Sequence, residues 1–441
     1  MAQKKSDRAV AVEILEQVEQ GGYLNLVLNS SLKGYDRTRR SFITALVYTT
    51  LENLIRIDYC IDSFLSSKKV HHFVRNVLRT GVCQLLYFES VPTSAAVNES
   101  VKIIASSKKR ELKGFCNAVL RNISNNLGTI EYPDEDEDPV GYLSVMYSYP
   151  KWLVEKYIAD YGYDFTSEML SYSRNVSEIC IRANTGKISR EALIEKLQAR
   201  EMFSRTGQWS ENAIYIKNVS QIEDDELFRD GSIAIQGEAS MLVCEAGDLK
   251  GGDRVLDLCA APGGKSAYIR TLEDVSVDSY DIHPHRVKLM KELYERLGLD
   301  ISAGVNDATI FREELEEKYD VVLVDVPCSA LGLLYRKPDI KHNKKEDDLD
   351  SLTATERKIL ENAVRYARPG GQIIYSTCTI DRKENSDLVE DFIKKHSEVR
   401  LGELKGLKAA FKDRAEKGMI QLFPHMDGID GFFIAKLVKN G

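Results

Sequence analysis

The sequence has little of several things, and each scarcity excludes something. No stretch approaches the roughly 20 apolar residues of a membrane-spanning helix, so no membrane partner is expected. The start, Met1-Ala2-Gln3-Lys4-Lys5-Ser6-Asp7-Arg8, leads into an amphipathic pattern and not an apolar core. A secretory leader is therefore not expected, and a cytoplasmic location is. The 8 cysteines contain no CxxC pair. No Cys/His spacing resembles a zinc site, so neither a disulfide framework nor a metal is expected. Cys60, Cys83, Cys116, Cys180 and Cys244 read as buried small hydrophobes. Internal repeats are also missing.

What is there is ordinary in bulk and uneven in detail. With 441 residues, 43% hydrophobic and 29% charged, the chain should hold two or three globular domains. Residues 1–125 carry 18 Lys and Arg against 11 Asp and Glu, a net of +7; the total of −8 leaves −15 for the rest. An acidic protein with a basic end suits a polyanion contacted by part of the chain.

Apolar residues at helical spacing mark the first domain, 1–128. Ala11, Ile14, Leu15 and Val18 form one stripe. Ile43, Leu46, Val47, Thr50, Leu51 and Leu54 form a second, and Val74, Val77, Leu78, Gly81, Val82, Leu85 and Leu86 a third. Thr93 or Ser94 is placed to cap a further helix after Pro92. Residues 129–142 then bring two prolines and six carboxylates between Glu131 and Pro139, the composition of a linker extended by self-repulsion. Residues 143–235 read as a small α+β module. Trp152–Tyr157 looks helical, Ile179–Asn184 looks like a strand, and Ser189 caps the next helix.

From 236 to 441 strands alternate with helices. Arg254–Leu258, Val275–Tyr280, Val321–Asp325 and Gln372–Ser376 are strands; a helix starts near Lys265, and another covers Ala354–Arg368. This alternation predicts a parallel sheet covered on both faces, with ligands outside the carboxyl ends of its strands.

Those ends carry the chemistry. The first runs into Cys259-Ala260-Ala261-Pro262-Gly263-Gly264-Lys265. The loop lacks the G-x-G-x-x-G spacing of a dinucleotide site and the G-x-x-x-x-G-K of a P-loop. S-adenosylmethionine fits better, since no diphosphate has to be cradled. Asp281, 24 residues after Asp257, is placed to accept both ribose hydroxyls, and Asp307, at the end of a third strand, to accept from the adenine amino group.

Two later strand ends carry thiols, Asp325-Val326-Pro327-Cys328-Ser329 and Tyr375-Ser376-Thr377-Cys378-Thr379. C5 of cytosine is a poor nucleophile toward a methyl donor. A thiolate added at C6 makes it enamine-like, and a second group near C5 then assists loss of its proton and departure of the thiol. Asp325 can donate to or accept from the N3/N4 edge of the base.

These blocks closely resemble those of the Sun-type RNA cytosine-C5 methyltransferases. Leu256–Lys265 resembles their cofactor motif, Asp325–Ser329 their D-A-P-C-S block with Val for Ala, and Tyr375–Thr379 their Y-S-T-C-S/T block. Ile235–Ser240, Arg336–Ile340 and Phe423–Phe433 resemble three further blocks. The resemblance implies that Cys378 is the nucleophile and Cys328 the aid to product release, with Lys265 and Asp325 on the target-base side. It also implies cofactor contacts from Cys259–Lys265, Asp281, Arg286, Asp307 and Asp325. Asp36-Arg37, Ala95–Glu99 and Gly114–Asn122 are similar to the NusB-type RNA-binding bundle.

The fold class expected is therefore multidomain. It comprises an all-α NusB-like bundle, a small α+β RNA-binding module and an α/β Rossmann-like methyltransferase domain. A NusB-like domain fused to such a methyltransferase implies a bacterial subfamily acting on 16S rRNA. The expected partner is 16S rRNA or a small-subunit assembly intermediate, and the chain is expected to be a monomer. The alternatives are a tRNA cytosine-C5 methyltransferase, and a NusB-like RNA-binding protein with an inactive methyltransferase domain.

Overall fold

The computed structural model describes residues 5–67, 69–172, 178–217, 222–407, 411, 413–415 and 418–441. Contacts divide the chain into two compact units: Met1–Tyr172 with Leu334–Lys344, and Ser173–Leu333 with Lys345–Gly441.

The first unit is helical. Ser6 begins α1 (Asp7–Glu19) by accepting the Ala9 N–H at 3.3 Å, one of the four donors a helix start leaves free. α2 (Leu24–Ser31) follows, and Asp36 caps α3 (Arg37–Glu52) through Arg39 N–H at 3.0 Å. The second stripe does not run through to Leu54. α3 ends at Glu52, and Leu54 opens α4 (Leu54–Asp62). Next come α5 (His72–Tyr87), α6 (Thr93–Ala105) and α7 (Lys113–Asn126). Thr93 is the first residue of α6 and not its cap, because Pro92 occupies the cap position. On α5, Gly81 permits close helix packing: a Cβ there would lie 2.9 Å from Leu120 and 3.0 Å from the Ser100 hydroxyl.

The acidic run is not an extended linker. Asp134 folds it into a turn by accepting the N–H groups of Asp136 and Glu137. Asp138 caps α8 (Pro139–Tyr147) through Gly141 N–H at 2.8 Å, with Pro139 at the first helical position. Local hydrogen bonding at a helix start outweighs the mutual repulsion of the carboxylates. α9 (Lys151–Tyr161) and α10 (Tyr163–Ser171) complete the run. Residues 143–172, read from sequence as the start of the middle module, thus pack with the helical unit. The returning segment Leu334–Lys344, which holds the short α16 (Ile340–Asn343), is anchored here too: Lys341 Nζ donates to Glu52 O at 2.8 Å and His342 Nε2 to Leu51 O at 2.7 Å.

The second unit holds two sheets. The smaller is antiparallel, in the order β2 (Ser204–Thr206), β3 (Ala213–Lys217), β1 (Glu178–Ala183), β4 (Ile233–Ile235). α11 (Arg190–Ala199), capped by Ser189, buries Leu193 and Leu197 against Ile181, Ile214 and Ile216, and the short α12 (Glu226–Arg229) adds Leu227 to the same core.

The larger sheet has a parallel centre. β7 (Ser302–Val305), β6 (Ser276–Asp281), β5 (Arg254–Asp257), β8 (Tyr319–Asp325) and β9 (Ala367–Thr377) run parallel. Strand alternation divides its side chains between two cores. Val321 and Leu323 face α13 (Glu238–Glu245) and α14 (Gly264–Leu272). Val322 and Val324 face α17 (Asp347–Tyr366) and α18 (Ser386–Lys395).

The sheet is mixed, which corrects the expectation of a parallel one. β12 (Phe432–Lys439) pairs antiparallel with β9, β10 (Val399–Leu401) and β11 (Met419–Leu422). The helix expected over Ala354–Arg368 begins earlier, at Asp347, and Ala367 already belongs to β9. Among the described residues no helix is long and apolar enough to cross a membrane.

Candidate active site

The parallel strands end on one rim, and each end contributes a polar group. Asp257 closes β5, is buried, and accepts from Ser266 Oγ at 2.6 Å. Burial drives its pKa up to about 7, with Asp325 adding to the rise against the Ser266 hydrogen bond. The chain then turns through Cys259–Gly264. Ala260 N–H bonds Tyr280 O at 2.8 Å, and Gly263 N–H bonds Ala260 O at 2.7 Å. Gly263 has φ +99°, and a Cβ would sit 2.9 Å from the Tyr294 ring, so glycine is required there.

Asp281 ends β6 and accepts His283 N–H at 2.9 Å, while its carbonyl takes Asn306 N–H at 3.1 Å. Asp307 lies two residues past β7 and accepts from the N–H and hydroxyl of Thr309. Cys259 is partly buried. Desolvation, then the charges of Asp257, Asp325, Asp281 and Asp307, push its thiol well up. Arg286 stands exposed in the first turn of α15 (Pro284–Leu297), apart from these contacts.

The fit of an adenosyl group can be judged from the cradle itself. The Gly263 turn leaves the backbone bare, Asp257 Oδ1 and Asn306 Nδ2 are buried without hydrogen-bond partners, and two acids stand at successive strand ends. Ile282 and Ile310, 49% and 61% exposed, flank those acids with apolar surface that an adenine can cover. S-adenosylmethionine fits this set. The two isoleucines escaped sequence reasoning, although Ile282, directly after the strand-end Asp281, was a readable signal.

On the other half of the rim, Lys265 Nζ contacts Asp325 Oδ2 at 2.6 Å, and Ser376 Oγ fixes Asp325 Oδ1 at 2.8 Å. Burial pulls the ammonium down, but the carboxylate prevails and Lys265 is held above its ordinary value. The sulfurs of Cys328 and Cys378 lie 3.3 Å apart, and Cys378 N–H points at the Cys328 sulfur at 3.3 Å. The hydrogen bond to Cys378 and then burial push the Cys328 thiol well up.

Both thiol loops are tied down from behind. Glu384 Oε2 accepts Ser329 N–H at 2.7 Å, Oε1 accepts the Ser329 hydroxyl, and that hydroxyl meets Thr379 Oγ1 at 2.7 Å. Gly332 N–H bonds Cys378 O at 3.0 Å. Glu384 was not singled out from sequence; its position six residues after Cys378 was the only cue. Among the described residues no group of His, Cys, Asp and Glu is arranged to hold a metal.

The geometry therefore joins a bare-backbone loop with strand-end acids, a lysine–aspartate pair and two thiols in contact. The chain carrying it is similar to known proteins. Residues 246–438 match the family model described as 16S rRNA methyltransferase RsmB/F, 5–125 the NusB family, and 149–223 an RsmF/B-like ferredoxin-like domain. Residues 149–172 thus match that domain by sequence while packing with the helical unit. A probable ribosomal RNA small subunit methyltransferase B of Bacillus subtilis is 37% identical, covering 99% of this chain and 100% of the relative. A ribosomal RNA small subunit methyltransferase B of Serratia proteamaculans is 28% identical over 97% of each. The crystal structure of PH0851 shares the fold with a TM-score of 0.82, 24% identity and 99% and 100% coverage. That of NSun6 from Pyrococcus horikoshii with SFG does so at 0.58 and 21%, covering 67% of this chain and all of its own. Matching along its whole length, the chain belongs to the RsmB/F family of 16S rRNA methyltransferases.

Proposed function

We propose that this chain transfers a methyl group from S-adenosyl-L-methionine to C5 of a specific cytosine in 16S rRNA through a covalent bond from Cys378 to C6. The observation that carries the reading is the pair of sulfurs 3.3 Å apart on neighbouring strand ends beside Lys265 and Asp325. The names of the relatives support the ribosomal address.

The target cytosine leaves any stack to reach the rim. The Cys378 thiolate bonds to C6, and the C5–C6 electron pair becomes available at C5. The ring is attacked with a solvent-derived proton on N3, so the adduct is neutral, and Asp325, held in place by Ser376 and Lys265, accepts a hydrogen bond from that protonated edge. Bound against Cys259–Gly264, Asp281 and Asp307, S-adenosyl-L-methionine would supply an electrophilic methyl group. Once C5 carries the methyl group, its proton passes to a base at that face, the role assigned to Cys328 in its thiolate form; the C5–H electron pair re-forms the C5–C6 double bond as the C6–S bond breaks, and the Cys378 thiolate is regenerated. Cys328, touching the departing sulfur, assists that elimination.

The test has two parts. Bisulfite sequencing of rRNA from a deletion strain should show one 16S cytosine losing its mark; an unchanged pattern sinks the substrate. Cys328→Ala should accumulate a covalent RNA adduct and Cys378→Ala should form none, whereas the reverse pattern exchanges the roles.

A further inference from the structure

Behind the two thiols lies a carboxyl group that the mechanism above leaves unused. Glu356 sits in the middle of α17 and is completely buried, as are Glu384, Asp381 and Tyr375. The groups around it are Glu384 and Asp381 from the segment after Cys378 and the Tyr375 phenol from β9. Arg357, its neighbour on the helix, is engaged with Asp391 at 2.7 Å. Neither Glu356 nor Glu384 has an ion-pair partner among the described residues.

Glu384 uses its two oxygens as acceptors, from the N–H and the hydroxyl of Ser329. It therefore serves as the ionised member. Two adjacent buried carboxyls without a cation cannot both ionise, so one keeps its proton. Both Glu356 oxygens are buried and receive no hydrogen bond, so nothing compensates a charge there; burial, followed by the charge of Glu384, drives its pKa up to about 10.

We propose that Glu356 is a positioning residue for methyl transfer: as a neutral acid it donates a hydrogen bond to Glu384 and holds that carboxylate where it clamps the Cys328 and Cys378 loops together. The clamp is legible in the contacts. Glu384 binds Ser329, beside Cys328, and the Ser329 hydroxyl binds Thr379, beside Cys378. Glu356 touches neither thiol and acts only through Glu384. A glutamine can make the same donation without a titrating proton; a leucine cannot.

The inference rests on the covalent methyltransferase reading, and the experiment separates the two. Infrared difference spectra of the full-length protein without RNA, parent minus Glu356→Gln, should show the C=O stretch of a protonated carboxylic acid at neutral pH, the contribution of Asp257 cancelling between the two. Because no turnover is involved, this readout stands even if the RNA substrate is misassigned. In methylation assays Glu356→Leu should lose about tenfold or more in kcat at unchanged RNA KM, since thiols displaced by a fraction of an ångström react poorly. Glu356→Gln should restore the rate. No protonated-acid band in that difference, or a glutamine variant as slow as the leucine one, overturns the proposal. An inactive parent with the band present and lost in Glu356→Gln would overturn the methylation reading and leave the proton assignment standing.

Discussion

Replacing Gly263 by alanine tests how far the cofactor loop is fixed by its backbone. At φ +99° an L-residue pays roughly 1–2 kcal/mol for the left-handed conformation. The new methyl group would also lie 2.9 Å from Tyr294 Cε1 and hydroxyl and 3.1 Å from Cζ. That ring cannot retreat freely, because it is buried and its hydroxyl bonds Ser279 Oγ at 3.1 Å. Overpacking of this kind costs typically 1–3 kcal/mol. The two effects together should destabilise the methyltransferase unit by about 3 kcal/mol. For a unit of this size the unfolding midpoint would fall by roughly 6–12 °C. A double-mutant cycle with Tyr294→Leu separates the causes, since it relieves the clash and leaves the backbone strain. Thermal unfolding followed by calorimetry measures both, and titration with S-adenosylmethionine should show weakened binding in Gly263→Ala. A midpoint shift under about 2 °C, or no relief in the Tyr294→Leu background, would refute the reasoning.

Three further outcomes are expected. Asp325→Asn removes the partner of a largely buried ammonium; stability should fall by about 3 kcal/mol in chemical denaturation and methyl transfer should disappear. Gly332→Ala would place a Cβ 2.0 Å from Gly431 O and 2.9 Å from Cys378 O, both main-chain atoms, so rate measurements should show the Cys378 loop disabled, by on the order of 10²-fold. His342, held near pKa 4 by burial and then by Lys341, stays neutral in the fold. An unfolded histidine takes up its proton near pH 6.5, so stability is lost as pH falls from about 6.5 toward 4, by up to about 3 kcal/mol. Melting curves of His342→Asn should be flatter than the parent's over that window.

Much of the candidate rim was legible because its residues follow strands of unmistakable pattern. Val321–Asp325 and Gln372–Ser376 both fall inside observed strands, and the two thiols they deliver meet. Leu256–Lys265 was legible for the same reason, a strand followed by glycines. The glutamates behind the thiols were not. A carboxyl on a helix with charged neighbours reads as solvated surface, and only packing puts Glu356 inside. The acidic run at 131–139 misled because composition says nothing about which carboxylate finds free N–H groups; Asp134 and Asp138 did. The antiparallel edge escaped because the pairing of Phe432–Lys439 with β9 joins segments 55 residues apart, Phe433 lying opposite Thr377 and Val438 opposite Gln372.

The excursion of Leu334–Lys344 into the helical unit has a consequence for biosynthesis. That unit is not contiguous in the gene order of its residues: its last piece is made 172 residues after Tyr172. At about 5–20 residues per second, roughly 10–30 s separate the two on the ribosome. During that interval the carbonyls of Leu51 and Glu52 lack the donors that will finally bond them. The first domain to emerge is thus among the last to be finished, and a fragment ending at Tyr172 would be a helical bundle with one strap missing.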